Sequence, residues 1–376
     1  MATDVRRVAF RRDWPIWLAR LSSLALLPFS LLVLELGFRY PEQTERFYGG
    51  WLYPIIATAL GKLNSLAPFS LAQILIVLSS IAALTCLTFR RQAPRHPLGL
   101  ATAFKAATFL WIVIGVLGIW FVMSWGLNYA RPSLERRLAL STSEIRVEEV
   151  LDAGRRSARR ATELHDALAQ PIDRPTRLTV SFTDLNEVID RRLGELRLPG
   201  DRLEAPTSPA KKLWGSTLLS YLGLSGIFVP FTGEPSINAM VPDASLPIVV
   251  AHERAHQRGV TDEGEANLVA FMTCAGAVHE SYLTYAAYLY ASAHLLGAAS
   301  REAPEEARAA WEELGPGPRR DLEAIREFWS RYHGTLSVAA GRVNDVYLRS
   351  VRVPGGTRSY QRIVQLLVAL DRRDDL

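Results

Sequence analysis

Long apolar runs dominate the first third of the chain. Ile16 to Leu34 has Arg20 as its one charge, Leu71 to Phe89 carries only a few Ser, Thr and Gln residues, and Ala106 to Leu127 is uncharged and rich in aromatics and glycine. Each is about as long as the ~20 residues a helix needs to cross a bilayer. The pattern therefore predicts three membrane helices, near 16–34, 71–89 and 106–127. Leu52 to Pro68 is a weaker apolar stretch that contains Lys62 and Asn64. It reads as an interfacial or re-entrant helix on the outer surface. No small-x-small site follows Leu34, so the first run reads as an uncleaved span and not as a signal peptide.

Beyond Leu127 the pattern changes. Residues 128–376 are long enough for one sizeable domain with its own core. Thr142 to Leu168 has amphipathic helical spacing and carries Arg155, Arg156, Arg159 and Arg160. Thr176 to Phe182 and Ile237 to Val241 are short strand candidates, the second bounded by Pro235 and Pro242. Helical spacing then runs over Glu263 to Leu296, Pro304 to Leu314, Pro318 to Leu348 and Tyr360 to Leu370. Breaks are expected at Gly297, Gly315 to Gly317 and Pro354 to Gly356. The fold class that follows is α+β and mainly helical, with a membrane region (1–127) ahead of an extracytoplasmic domain (128–376) holding a small sheet.

Composition supports the membrane reading. The chain is 49% hydrophobic and 22% charged, with mean hydropathy +0.07, high for a soluble enzyme. Its net charge of +5 is accounted for largely by loop arginines. Arg6, Arg7, Arg11 and Arg12 precede the first run, and Arg90, Arg91, Arg95 and Lys105 lie between the second and third without an acid among them. Positive charge collects on the cytoplasmic side, so the N-terminus is expected inside and the C-terminal domain outside a multi-pass protein of the cytoplasmic membrane. No nucleic-acid motif accompanies the charge. The basic helix of 142–168 is of a kind that lies against anionic lipid or cell-wall polymers, or simply faces water. Cys86 and Cys274 imply no disulfide framework.

The candidate chemistry sits in His252-Glu253-Arg254-Ala255-His256. Two histidines four apart on a helix project from one face and supply two ligands of a zinc site, with Glu253 between them to activate water. Ser245 is a candidate N-cap, Pro247 suits a first turn, and Gly259 stands where the helix would stop. Asp262, Glu263 and Glu265 compete to be third ligand. Asp262 also fits the spacing at which metzincins place a third histidine. Asp262 and Glu265 could instead form a capping box, which leaves Glu263 free. Asn267 shares the Glu263 face and could orient a ligand. His279, Tyr282 and Tyr285 follow as candidate oxyanion donors, and Asn238 and Ala239 as residues holding a substrate backbone by β-addition.

His252 to His256, then Glu263, Ala266 and Asn267, resemble the gluzincin pattern found in the membrane-embedded HtpX and CAAX prenyl protease group, with Asn267 where that pattern has an aspartate. More closely, PFTGEPSIN (230–238), SLPIVVAHERAHQRG (245–259), EGEANLVAF (263–271), VNDVYLRS (343–350) and TRSYQRIVQLL (357–367) resemble a family of bacterial membrane proteins of unknown function, grouped with the HExxH peptidases. That resemblance implies Zn2+, a gluzincin-like fold and proteolysis of a peptide or protein substrate. The rival readings are a zinc-stabilised scaffold without activity in a membrane or cell-wall complex, and a zinc hydrolase of a non-peptide amide.

Overall fold

The computed structural model describes residues 23–92, 99–196, 198, 208–277, 279–353, 356 and 362–373. Residues 16–22 of the first apolar run, the arginines at 6, 7, 11, 12 and 95, and residues 357–361 lie outside these. From Ser23 the first run continues into helix α1 (Leu26–Arg39), and a π-helical segment (Thr44–Leu52) leads into α2 (Tyr53–Ser65). The second and third runs are α3 (Leu71–Gln92) and α4 (Leu100–Ser124). Among the described residues one helix is long and apolar enough to cross a membrane, Thr102–Ser124 within α4; the apolar part of α3, Leu71–Cys86, is shorter.

Glycines in the third run serve helix packing. A Cβ on Gly115 would stand 2.8 Å from Leu26 Cβ and one on Gly118 3.1 Å from Ser30 Oγ, so their absence lets α4 approach α1 closely. By contrast α3 leaves Leu75, Ile76, Leu78, Ile81 and Leu84 exposed.

The larger region begins with α5 (Val147–Ala167) and α6 (Phe182–Leu196). On α5 a stripe of small residues, Ala153, Gly154, Ser157, Ala158 and Ala161, is buried, and Gly154 lies under Leu296. Its arginines pair within the chain: Arg155 and Arg159 with Glu313, Arg156 with Asp371, Arg160 with Glu163. Three short strands, β1 (Lys211–Leu213), β2 (Gly226–Val229) and β3 (Glu234–Asn238), form a sheet ordered β1-β3-β2, with helix α7 (Ser216–Tyr221) between the first two in sequence. β3 runs parallel to β1, with Ser236 opposite Lys211, and antiparallel to β2, with Ser236 opposite Ile227. Beyond it come α8 (Leu246–Gln257), α9 (Glu263–Ala275), α10 (Ser281–Glu302), α11 (Pro304–Glu312), α12 (Pro316–Tyr332), α13 (Thr335–Ser350) and α14 (Ile363–Asp371). The main core gathers α5, α6, α8, α9, α10 and α14, with Phe271, Leu283, Leu295 and Leu366 at or below 1% exposure.

A buried ion pair ties the sheet to α3. Glu234 accepts from the Leu71 and Ala72 amides (2.9 and 2.7 Å), capping the helix N-terminus where negative charge is favoured, and pairs with Lys211 Nζ at 2.9 Å. Lys211 also donates to Asn64 O and Phe69 O. Removing one partner of so buried a pair typically costs about 3–5 kcal/mol.

Several sequence expectations are corrected. Thr176 to Phe182 is no strand, because its amides turn to side chains: Thr176 N–H to Asp321 and Leu178 N–H to Asp243. The strand expected at Ile237–Val241 lies three residues earlier, as β3, and the chain turns at Ala239 and Met240. Gly297 does not end a helix; α10 runs through it, a cost of about 1 kcal/mol that tertiary packing absorbs. The helix expected over Glu263–Leu296 breaks instead after Ala275. That over Pro318–Leu348 breaks at His333 and Gly334, where the Ser337 hydroxyl accepts the Gly334 amide and starts a new helix.

Candidate metal centre

Helix α8 carries the HExxH motif through the middle of the domain, and nearly every one of its residues is buried. Pro247 occupies its first turn as expected, but Ser245 does not cap it through the side chain; its hydroxyl donates to Pro242 O. At the other end Gly259 has φ +81°, and a Cβ there would stand 2.7 Å from Asn128 Oδ1 and 2.8 Å from an Arg131 nitrogen. Only glycine meets both conditions. The turn brings the chain back so that α9 starts beside the histidines.

The ligand-capable atoms of His252, His256 and Glu263 lie within 4.8 Å of one another, the one such cluster among the described residues. His252 Nδ1 faces Asn267 Oδ1 at 2.8 Å, and His256 Nδ1 faces the Val260 carbonyl at 2.7 Å. Both partners are acceptors, so each ring holds a proton on Nδ1 and presents Nε2 inward. The two Nε2 atoms are 3.0 Å apart, and Glu263 Oε2 is 3.2 and 3.4 Å from them. Two converging imidazole lone pairs and a carboxylate form a donor set that suits zinc. Burial raises the Glu263 carboxyl, but the pull of His256 and His252 outweighs it and holds the group well below the usual carboxylate range.

Glu253 lies beside this set, 4% exposed, with Oε2 unpartnered. Burial holds its carboxyl above the usual carboxylate range, helped by the Glu263 charge, although both histidines and the Phe228 amide facing it pull the other way. An unpartnered buried carboxylate oxygen is costly in a merely structural role. Its other neighbour is Gly226 on β2, where a Cβ would stand 2.6 Å from Glu253 Oε1. The strand can lie on the carboxylate because residue 226 has no side chain.

The other acids are engaged elsewhere. Asp262 is the N-cap of α9, accepting from the Glu265 amide at 3.0 Å. Glu265 accepts from the Glu135 amide at 2.9 Å, so it supports the short helix Leu134–Arg137 and not a reciprocal capping box. Tyr285 and His279 are not brought to the cluster. The Tyr285 hydroxyl donates to Asp321 in the core, Tyr282 donates to Asp243 O, and His279 is exposed in the turn after α9, the far end of that helix from Glu263. Asn238 is buried in the central strand, its amide donating to Ser220 Oγ and Leu224 O, and the Ala239 amide donates to Ser216 Oγ. A strand with neighbours on both sides has no edge for β-addition. The sheet edge beside the cluster is β2.

Aromatic residues from distant segments complete the surroundings. The Trp125 ring stands edge-on to His256 at 6.0 Å and packs on Phe228 at 4.7 Å. Its indole N–H donates to Tyr129, whose hydroxyl meets that of Tyr347 on α13 at 3.1 Å. Burial chiefly raises both phenols, and the Glu263 charge adds a smaller push to each, as it does to Tyr290. No local spacing in the sequence links 125, 129, 228 and 347; the apolar-to-polar boundary at the end of the third run was the one signal pointing to Trp125 and Tyr129.

No curated protein and no solved structure matches the chain, so these comparisons do not bring in the HtpX or CAAX prenyl protease group. One family model does match, over residues 48–368, a stretch that includes the cluster, Glu253, β2 and both tyrosines. With most of its length covered, the chain belongs to the family described as protein of unknown function (DUF3810).

Proposed function

We propose that this protein is a membrane-anchored zinc-dependent endopeptidase acting on the outer side of the cytoplasmic membrane. The observation that carries the reading is the convergence of His252, His256 and Glu263 with the Glu253 carboxylate, its Oε2 unpartnered, beside them. His252, His256 and Glu263 would hold the ion, Asn267 and the Val260 carbonyl keeping the two rings in the tautomer that offers Nε2. Zinc bound there supplies a Lewis acid that polarises a carbonyl and acidifies water.

The chain's own residues account for the remaining chemistry. Glu253 takes the proton of the attacking water and delivers it to the leaving amine nitrogen. The free edge of β2, immediately beside Glu253, offers backbone groups to an extended substrate. The hydroxyls of Tyr129 and Tyr347 are the nearby donors for charge developing on the substrate carbonyl. On the membrane side, α1, α3 and α4 act as three spans with the N-terminus inside, and residues 128–376 form the extracytoplasmic domain.

The test is turnover of a peptide library by the purified full-length protein, with zinc content measured alongside. Glu253→Gln should abolish cleavage and keep stoichiometric zinc. Cleavage that persists in this variant overturns the assignment of Glu253, and a wild-type protein that binds zinc but cleaves no peptide overturns the endopeptidase reading.

A further inference from the structure

From Leu213 to Gly233 the sequence contains no Asp, Glu, Lys, Arg or His, in a chain that is 22% charged. This charge-free segment lies outside the three apolar runs, and only Ser216, Ser220, Thr232 and Gly233 within it are buried. Trp214, Leu218 and Tyr221, spaced i, i+4, i+7, are 74%, 60% and 45% exposed on and beside α7. Phe231, at the β2–β3 turn, is exposed as well. Exposed apolar surface without interspersed charge is unsuited to water.

Both ends of the segment touch the helices of the membrane region. At one end the Trp214 amide donates to Gln73 in the first turn of α3 (3.2 Å), and the Trp214 ring packs on Phe69 at 6.4 Å. At the other, Trp120 near the end of α4 donates its indole N–H to Phe231 O (3.0 Å), and Phe121 packs on the Phe231 ring. In the proposed three-span arrangement the start of α3 and the end of α4 both face the outer side, which holds the segment at the level where the two helices would leave the bilayer. Tryptophan and tyrosine are enriched at this depth, where an apolar body and a polar tip are both accommodated.

We infer that the segment Leu213–Gly233 docks into the outer leaflet of the bilayer, with the Trp214–Leu218–Tyr221 stripe of α7 inserted at the interface. Continuity with the apolar surfaces of α3 and α4 identifies the occupant as lipid. The inference rests on the multi-span part of the proposed function and not on its chemistry. Its consequence for the chemistry is direct: β2 belongs to the same segment, so the edge beside Glu253 lies at the lipid surface. The substrate class would then be polypeptide at that surface, such as the juxtamembrane stretch of a membrane protein.

Site-directed spin labelling of the full chain in vesicles of three parts phosphatidylcholine to one part phosphatidylglycerol tests this. In a Cys86→Ser, Cys274→Ala background, nitroxides at Leu218→Cys, Tyr221→Cys and Phe231→Cys are compared with Leu78→Cys on α3, Ile114→Cys on α4 and Glu306→Cys on α11. Collisions with oxygen should exceed collisions with a water-soluble nickel chelate at 218, 221 and 231, as at 78 and 114, with the reverse at 306. Nickel-dominated accessibility at 218 and 221, with 78 and 114 in lipid, overturns the docking. Low accessibility to both agents at those positions means a protein partner or a second copy covers α7, and overturns it too. A nickel-dominated label at 78 overturns the multi-span reading on which it stands, whereas loss of the peptidase reading changes none of these values.

Discussion

Asp262 and Glu263 are sequence neighbours with different tasks, and substitution should separate them. Glu263 Oε2 sits 3.2 and 3.4 Å from the two histidine nitrogens, so Glu263→Gln removes the only charge in the donor set and should abolish tight zinc binding. Asp262→Asn alters a cap that Asn also satisfies, and Asp262→Ala removes it at a cost of about 1 kcal/mol, so both should keep the metal. Asn267→Ala frees the His252 ring and should weaken zinc by the ~10 to 100-fold typical of lost ligand-orienting bonds. Metal titrations of these variants decide it: an empty Asp262→Asn beside a loaded Glu263→Gln means metzincin-like spacing and a wrong ligand set. The residues of this cluster were legible because the motif and its third acid lie within twelve positions on two consecutive helices. Tyr129 and Tyr347 are separated by more than two hundred residues, and Tyr285, closer in sequence, points its hydroxyl at Asp321 in the core. Proximity along the chain was a poor guide to which hydroxyls stand near the cluster.

At the level of elements, β2 is the part that local pattern failed to reveal. Gly226-Ile227-Phe228-Val229 is short and lacks alternation, while the run after Pro235 attracted the strand assignment through Ile237 and the bounding prolines. Order within a sheet is a tertiary property, so nothing in the run around Ile237 says that both of its sides are paired. The long helices were better marked, since apolar spacing over many turns survives small errors at the ends. Their breaks were not, because Gly297 is tolerated inside α10 whereas Gly334, a glycine of the same kind after the basic Arg331 and His333, does end a helix. The placement of β2 leads to a sharp expectation for Gly226→Ala. The new methyl would meet Glu253 Oε1, Cγ and Cδ at 2.6 to 2.8 Å, and a buried carboxylate has little room to withdraw. The variant should therefore bind zinc like the wild type, melt at a lower temperature and lose most peptidase turnover. Wild-type turnover in Gly226→Ala would show that Glu253 need not hold this position, and would remove the argument for β2 as the substrate edge.

For the whole molecule, the question is which side of the membrane the proposed metal centre would face. α4 ends at Ser124, and the next residue, Trp125, is already packed against His256, so the cluster lies directly beyond the C-terminal end of that helix. The arginines of the sequence fall at the other end: Arg90, Arg91, Arg95 and Lys105 surround the connection between α3 and α4, and Arg6, Arg7, Arg11 and Arg12 precede the first run. Near the opposite ends, Glu35, Glu42 and Glu45 stand against Arg39, Arg46 and Lys62, and all three of these acids are held in ion pairs with the domain, Glu35 by Arg352, Glu42 by Arg136 and Glu45 by Arg131. Positively charged loops resist translocation, so in the three-span arrangement proposed above, with the N-terminus inside, residues 128–376 would be carried outward. In a bacterial host, alkaline phosphatase fused after Leu376 should be active, because it folds only outside, and green fluorescent protein at the same position should stay dark. Reporters inserted at residue 95 should give the opposite pair of results. Fluorescence at the C-terminus with activity at 95 would invert the molecule, place the cluster in the cytoplasm and overturn the outward-facing peptidase. Activity at both positions would mean that α3 and α4 do not form a hairpin through the bilayer, and the three-span arrangement would fall while the metal assignment stood.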